Sequence, residues 1–153
     1  MKKRRAEGPP GTGVGQVRGI ALAAPDSRVR RAAVAKLYNG RAMGTLPDHI
    51  RNVIQKLDTG LKELYGDRYR GLLLYGSYAR GTAWEGSDVD LLMLLEGPVN
   101  TVREILASES VVWPLCLESD LVLAVMPADV EAFQRGEGLF LSIVRDEAIP
   151  VAA

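Results

Sequence analysis

The sequence predicts an α+β domain: a small mixed β-sheet with helices packed mainly on one face. Three observations predict it. An apolar repeat at helical spacing (Ile50, Val53, Ile54, Leu57, Leu61 and Leu64) precedes three short apolar runs, at 71–75, 89–95 and 121–126. Helix-start and turn residues separate those runs, so strands and helices alternate. At 153 residues, 47% hydrophobic and 25% charged, the chain suits one domain with a modest core.

The first 44 residues are basic, rich in Gly and Pro and poor in large apolar side chains. Such a segment buries too little surface to offset its ordering entropy, so residues 1–44 are expected to be a largely flexible extension, with residues 45–153 the domain. Gly8 to Gly13 imitates the start of a P-loop, but Val14 stands where the phosphate-binding lysine belongs and no apolar strand precedes it. A short basic helix fits Ser27 to Tyr38, capped by Ser27 and stopped at Asn39-Gly40.

The domain then reads in order. A helix runs from Pro47 to about Leu64, with Gly66 beyond its end. His49, the single histidine, belongs to its exposed start. Gly71–Tyr75 reads as a buried strand, Ser77–Gly81 as one helical turn, and Val89–Leu95 as a second buried strand. Asn100–Ala107 reads as a helix and Trp113-Pro114 as a packed turn, with Cys116 in the core. Leu121–Met126 is a third strand, and Pro127–Phe133 a helix opening with Pro and acidic residues, as the dipole favours. Gly138–Glu147 closes the series as a helix, with Ile149–Val151 extended.

Formal net charge is zero and the pI about 6.6, which does not suggest a nucleic-acid or membrane-surface partner. One cysteine excludes an internal disulfide and suits a reducing compartment. The longest apolar runs, such as Leu91–Leu95, are too short to cross a bilayer, and the N-terminus lacks the apolar stretch of a secretory signal. A cytoplasmic protein is expected.

The chemistry concentrates between Gly76 and Asp90. Side chains alternate along a strand, so Asp88 and Asp90 project from one face, roughly 6–7 Å apart along the backbone. Like charges so placed raise each other's pKa, and a hard divalent cation removes the conflict. Carboxylate oxygens suit Mg²⁺, and a pair of such ions can align a phosphoryl or nucleotidyl transfer. Upstream, Gly76 permits close approach of the backbone to a ligand, and Ser77 offers its hydroxyl where amides favour phosphate. Arg80 can add charge to the same phosphate, and Ser87 can cap or orient the loop that returns to the carboxylates. Trp84 suits stacking on a base, touching a partner or packing the loop, and Tyr78 flanks the cradle. Gly-Ser and Asp-x-Asp are each common; together, each preceded by an apolar strand, they are far more specific than two surface acids beside a helix cap.

Gly76-Ser77, ten residues, then Asp88-Val89-Asp90, within LLLYGSYARGTAWEGSDVDLLMLL, resembles the signature of the DNA polymerase β-like nucleotidyltransferase superfamily, most closely its minimal nucleotidyltransferase (MNT) domains. The resemblance extends from about Pro47 to Val151. It implies the polymerase β-like fold and transfer of a nucleoside monophosphate, with ATP the expected donor, to a hydroxyl with release of pyrophosphate. It makes Asp88 and Asp90 ligands of two Mg²⁺ ions and Gly76 and Ser77 holders of triphosphate oxygens. A third family carboxylate belongs on the third strand; Asp120 is the choice for it, with Glu118 or no third acid the alternatives. MNT domains of this size resemble the antitoxins of HEPN–MNT pairs, which implies a helical HEPN-type ribonuclease toxin as partner and acceptor, and admits a homo-oligomer. Two other functions remain open: a weakly catalytic nucleotide-binding module that neutralises its partner by contact, and a small-molecule transferase of aminoglycoside type.

Overall fold

The computed structural model describes residues 46–151; the Gly8–Gly13 stretch, the expected Ser27–Tyr38 helix and the rest of the basic extension lie outside the described residues. Helix α1, Asp48–Tyr65, starts behind Pro47, with Asp48 in its first turn and Lys62 in its last, each charge matched to the helix dipole. Ile50, Ile54, Leu57 and Leu61 bury one stripe of it, while Leu64 is exposed. A 3₁₀ turn, Gly66–Arg68, leads into strand β1, Tyr69–Leu74. The five-residue helix α2, Gly76–Arg80, and a polar loop connect β1 to β2, Val89–Leu95. Helix α3, Thr101–Ser119, returns the chain to β3, Leu123–Asp129. Helices α4, Val130–Arg135, and α5, Gly138–Glu147, precede the short strand β4, Ile149–Pro150.

The sheet is mixed, in the order β3-β2-β1-β4. β1 pairs antiparallel with β2 and β4; β2 and β3 run parallel through the α3 crossover. β2 is central, and Leu91 to Leu95 are fully buried on both sides. Alternation divides the core. Leu72, Leu74, Val89, Leu91, Met93 and Leu95 pack toward the long helices α1 and α3. Leu73, Leu92 and Leu94 pack toward the shorter α4 and α5, through Phe133 and Val144. The expected arrangement, with helices mainly on one face, is what forms. Asp90 shares the parity of Leu92 and Leu94, so it lies on the thinly covered face.

Three expectations need correction. α3 does not end at Ala107: it continues to Ser119, and Trp113-Pro114 lies inside it rather than in a turn. Proline removes one amide donor, and here its stretch faces solvent, where water meets the freed carbonyl. Cys116 is half-buried, packed at the margin of the core. Pro127 belongs to β3, not to the following helix; β3 is an edge strand, where a missing ladder donor is tolerated. The helix starts at Val130, where the Asp129 carboxylate accepts from the amides of Glu131 and Ala132, both at 2.9 Å. No helix among the described residues is long and apolar enough to cross a membrane.

Candidate functional site

Antiparallel pairing carries the end of β1 to the beginning of β2. Leu74 faces Leu91, and the Tyr75 amide still donates to the Asp90 carbonyl at 3.0 Å. The backbone then turns at Gly76 with φ of +71°. A Cβ there would stand 2.2 Å from Asp90 Oδ2 and 3.0 Å from its carboxyl carbon. The Asp90 carboxylate therefore rests against the bare Cα of Gly76. Only glycine tolerates both that φ and that neighbour. This contact merges the Gly-Ser turn and the Asp pair into one site.

Ser77 is half-buried in α2, and its carbonyl accepts from the Thr82 amide at 3.0 Å. Gly81, at φ +74°, ends the helix. In the returning loop, Ser87 Oγ accepts from the Trp84 amide and the Ser87 amide donates to the Trp84 carbonyl, each at 2.9 Å. Ser87 thus closes the loop that delivers Asp88. Trp84 is exposed, as is His49; Tyr78 packs against the core.

One member of the site was not foreseen. Glu147, the last residue of α5, places Oε1 at 3.0 Å from the Gly76 amide, which donates to it. Arg80 Nη1 donates to both its oxygens, at 3.1 and 2.9 Å. Arg80 lies beside the Gly-Ser turn as expected, but its guanidinium is engaged by Glu147. The available sequence signal was faint: an acid ending a helix, against the dipole, directly before an extended segment.

Asp88 is exposed and Asp90 half-buried. Burial pushes the Asp90 carboxyl above the usual carboxylate range, and Asp88 adds to the rise; Arg80 opposes it and Glu147 reinforces it. The Tyr75 phenol is raised too, by burial and then by Asp90 and Glu147, and its ring meets Phe140 edge-on at 5.8 Å.

Asp120 is exposed at the left-handed C-cap of α3, φ 55°, and is not among the charges that shift Asp90. Glu118 pairs with Lys56 of α1 at 2.5 Å. Register sets Ala124 opposite Asp90, and the Val122 carbonyl accepts from the Val89 amide, so the β3 residues beside the acid pair are apolar. Among the described residues, no three His, Cys, Asp or Glu side chains form a ready metal cage. The donor set nevertheless fits Mg²⁺: two hard carboxylates that repel each other without a cation.

A four-stranded mixed sheet with an acid pair opening its central strand, locked onto a Gly-Ser turn, defines a nucleotidyltransferase-type domain. The chain belongs to the nucleotidyltransferase domain family, which matches residues 54–136. It is also similar to a Methanocaldococcus jannaschii protein named "Putative protein adenylyltransferase MJ1305", with 44% identity over 45 residues. That stretch is 29% of this chain and 31% of the relative, so the match spans about a third of the relative's length. Among solved structures, the "putative nucleotidyltransferase from Sulfolobus solfataricus" aligns over 84% of this chain and 89% of its own, with 12% identity and a TM-score of 0.44. A toxin–antitoxin structure with AMP-PNP aligns over 66% of this chain and 71% of its own, with 19% identity and a TM-score of 0.42. A mutant of the toxin–antitoxin pair MntA–HpeT has the same coverage and TM-score, with 17% identity.

Proposed function

We propose that this chain is a Mg²⁺-dependent nucleotidyltransferase that moves AMP from ATP to a hydroxyl of a partner protein, and that residues 45–153 form its catalytic unit. The contact of the Asp90 carboxylate with the Gly76 Cα carries the reading, because it joins a phosphate-binding turn to a metal-binding pair. Family membership supports nucleotidyl transfer. The name of the M. jannaschii relative supports a protein acceptor. The resemblance of the Gly76–Asp90 segment to MNT antitoxins favours a HEPN-type ribonuclease toxin as that partner.

In this reading, Asp88 and Asp90 would hold the two expected Mg²⁺ ions through their carboxylate oxygens. Bound there, Mg²⁺ would supply neutralisation of the charge on the phosphoryl oxygens. Gly76 lets a phosphate approach the backbone, and Ser77 donates its hydroxyl to it. The acceptor oxygen bonds to the α-phosphorus, the bond to pyrophosphate breaks, and the acceptor proton passes to solvent water. The resemblance assigns a third carboxylate to Asp120, at the C-cap of α3 just ahead of β3, and the proposed core rests on Asp88 and Asp90.

Mass spectrometry of a co-expressed partner tests the reading through an added nucleoside monophosphate. Asp88→Asn and Asp90→Asn are each expected to lower transfer by about a hundredfold or more, on the scale of losing an essential electrostatic group, with circular dichroism unchanged. Full activity in both variants refutes the metal assignment. A second reading, neutralisation by contact with little turnover, draws on the apolar Val122 and Ala124 beside the acid pair, where a third carboxylate would complete the site.

A further inference from the structure

We propose that Glu147 is the positioning residue of the Gly76–Ser77 turn: in the ligand-free protein it holds the two donors, the Gly76 amide and the Arg80 guanidinium, that a triphosphate takes over on binding. The proposal rests on the nucleotidyltransferase reading and adds to it a displaceable internal anion.

The donors that Glu147 occupies suit phosphate as well as carboxylate. A backbone amide and a planar guanidinium both make short, charge-assisted bonds to either anion. Glu147 takes the amide at 3.0 Å and two bonds from Arg80 at 3.1 and 2.9 Å, so one carboxylate engages both donors. Its place is otherwise unfavourable. As the last residue of α5 it opposes the helix dipole, and it adds negative charge beside Asp90. The donors of the turn offset those costs. A triphosphate arriving with its own cations supplies the same bonds without the repulsion. The side chain reaches solvent, at 18% exposed, and Ala148 behind it is already extended.

An internal anion that must vacate the site lowers apparent affinity by the fraction of molecules in which it is open. Removing its charge therefore tightens binding, which a merely structural role does not predict. The experiment is calorimetry of the full chain with Mg·ATP and, separately, with Mg·inorganic triphosphate, which lacks the base. Glu147→Gln keeps the side chain's length but loses the charge held by Arg80. It is expected to bind both probes about threefold to tenfold more tightly than wild type. Adding Arg80→Ala to that variant is expected to remove most of the gain. Glu147→Asp keeps the charge but is too short to satisfy amide and guanidinium together. It is expected to shift affinity the same way, and it serves as the second probe should Glu147→Gln fold poorly. Unchanged or weaker binding in both folded variants, with wild type binding normally, overturns the role of Glu147 and leaves the nucleotidyltransferase reading standing. No binding of Mg·ATP by wild type or either variant overturns both.

Discussion

Asp90 concentrates the tension of the site. It is half-buried, carries a like charge at Asp88, has Glu147 close by, and among the described residues finds its relief in Arg80. Its folded-state pKa is raised, so the folded chain binds more protons than the unfolded chain between the two values. The stability attached to Asp90 is therefore present at low pH and lost as pH rises through its folded pKa. In metal-free buffer, Asp90→Asn is expected to melt a few degrees above wild type at neutral pH, the gap closing on acidification below pH 4. Added Mg²⁺ is expected to raise the Tm of wild type only. Scanning calorimetry at several pH values checks this, and a variant less stable than wild type at neutral pH contradicts it. At this scale much of the site was legible, because Gly76, Ser77, Asp88 and Asp90 form one local pattern whose spacing already implies that two strand ends meet. Glu147 was not legible: 71 residues separate it from Gly76, and only the antiparallel return of β4 along β1 brings it there.

Among elements, the sequence located β2 and α5 to the residue, since apolar runs and flanking turn residues define both ends. It failed at prolines. Pro114 and Pro127 read as breaks, yet one lies within α3 and the other in an edge strand, because an unpaired backbone group costs little where water reaches it. What fastens α3 is partly its buried Glu104, paired with Arg68 at 3.0 Å, and partly close approach to α1. Gly60 marks that approach: a Cβ there would lie 2.5 Å from Val111 Cγ1. Valine is stiff at χ1 and cannot swing away cheaply. Gly60→Ala gains about 1 kcal/mol of helix propensity but pays about 1–3 kcal/mol in overpacking, so a net loss of about 1 kcal/mol is expected. Val111→Ala in the same chain is expected to turn that substitution into a gain. Urea melts of the four proteins read the coupling, and a stabilising Gly60→Ala on its own disproves the tight helix contact.

Across the whole molecule, neutrality conceals a division of charge. Residues 46–151 carry nine Lys or Arg against seventeen Asp or Glu, while residues 1–45 hold the balancing excess of basic side chains. An acidic domain of this kind repels bare polyanions and favours a nucleotide delivered with divalent cations. In the proposed reaction the acceptor hydroxyl belongs to another protein. Transfer and contact are then separable. Asp88 is exposed at the mouth of β2, so Asp88→Asn removes a proposed metal ligand without changing buried packing. Co-expressed with a ribonuclease toxin of the kind proposed as its partner, that variant is expected to remain associated on size-exclusion chromatography, add no nucleotide, and leave the ribonuclease active. Had contact alone been the means of neutralisation, the same variant would silence the ribonuclease as well as wild type does. An RNA-cleavage assay on the purified pair thus decides whether the acid pair performs chemistry or only completes a surface.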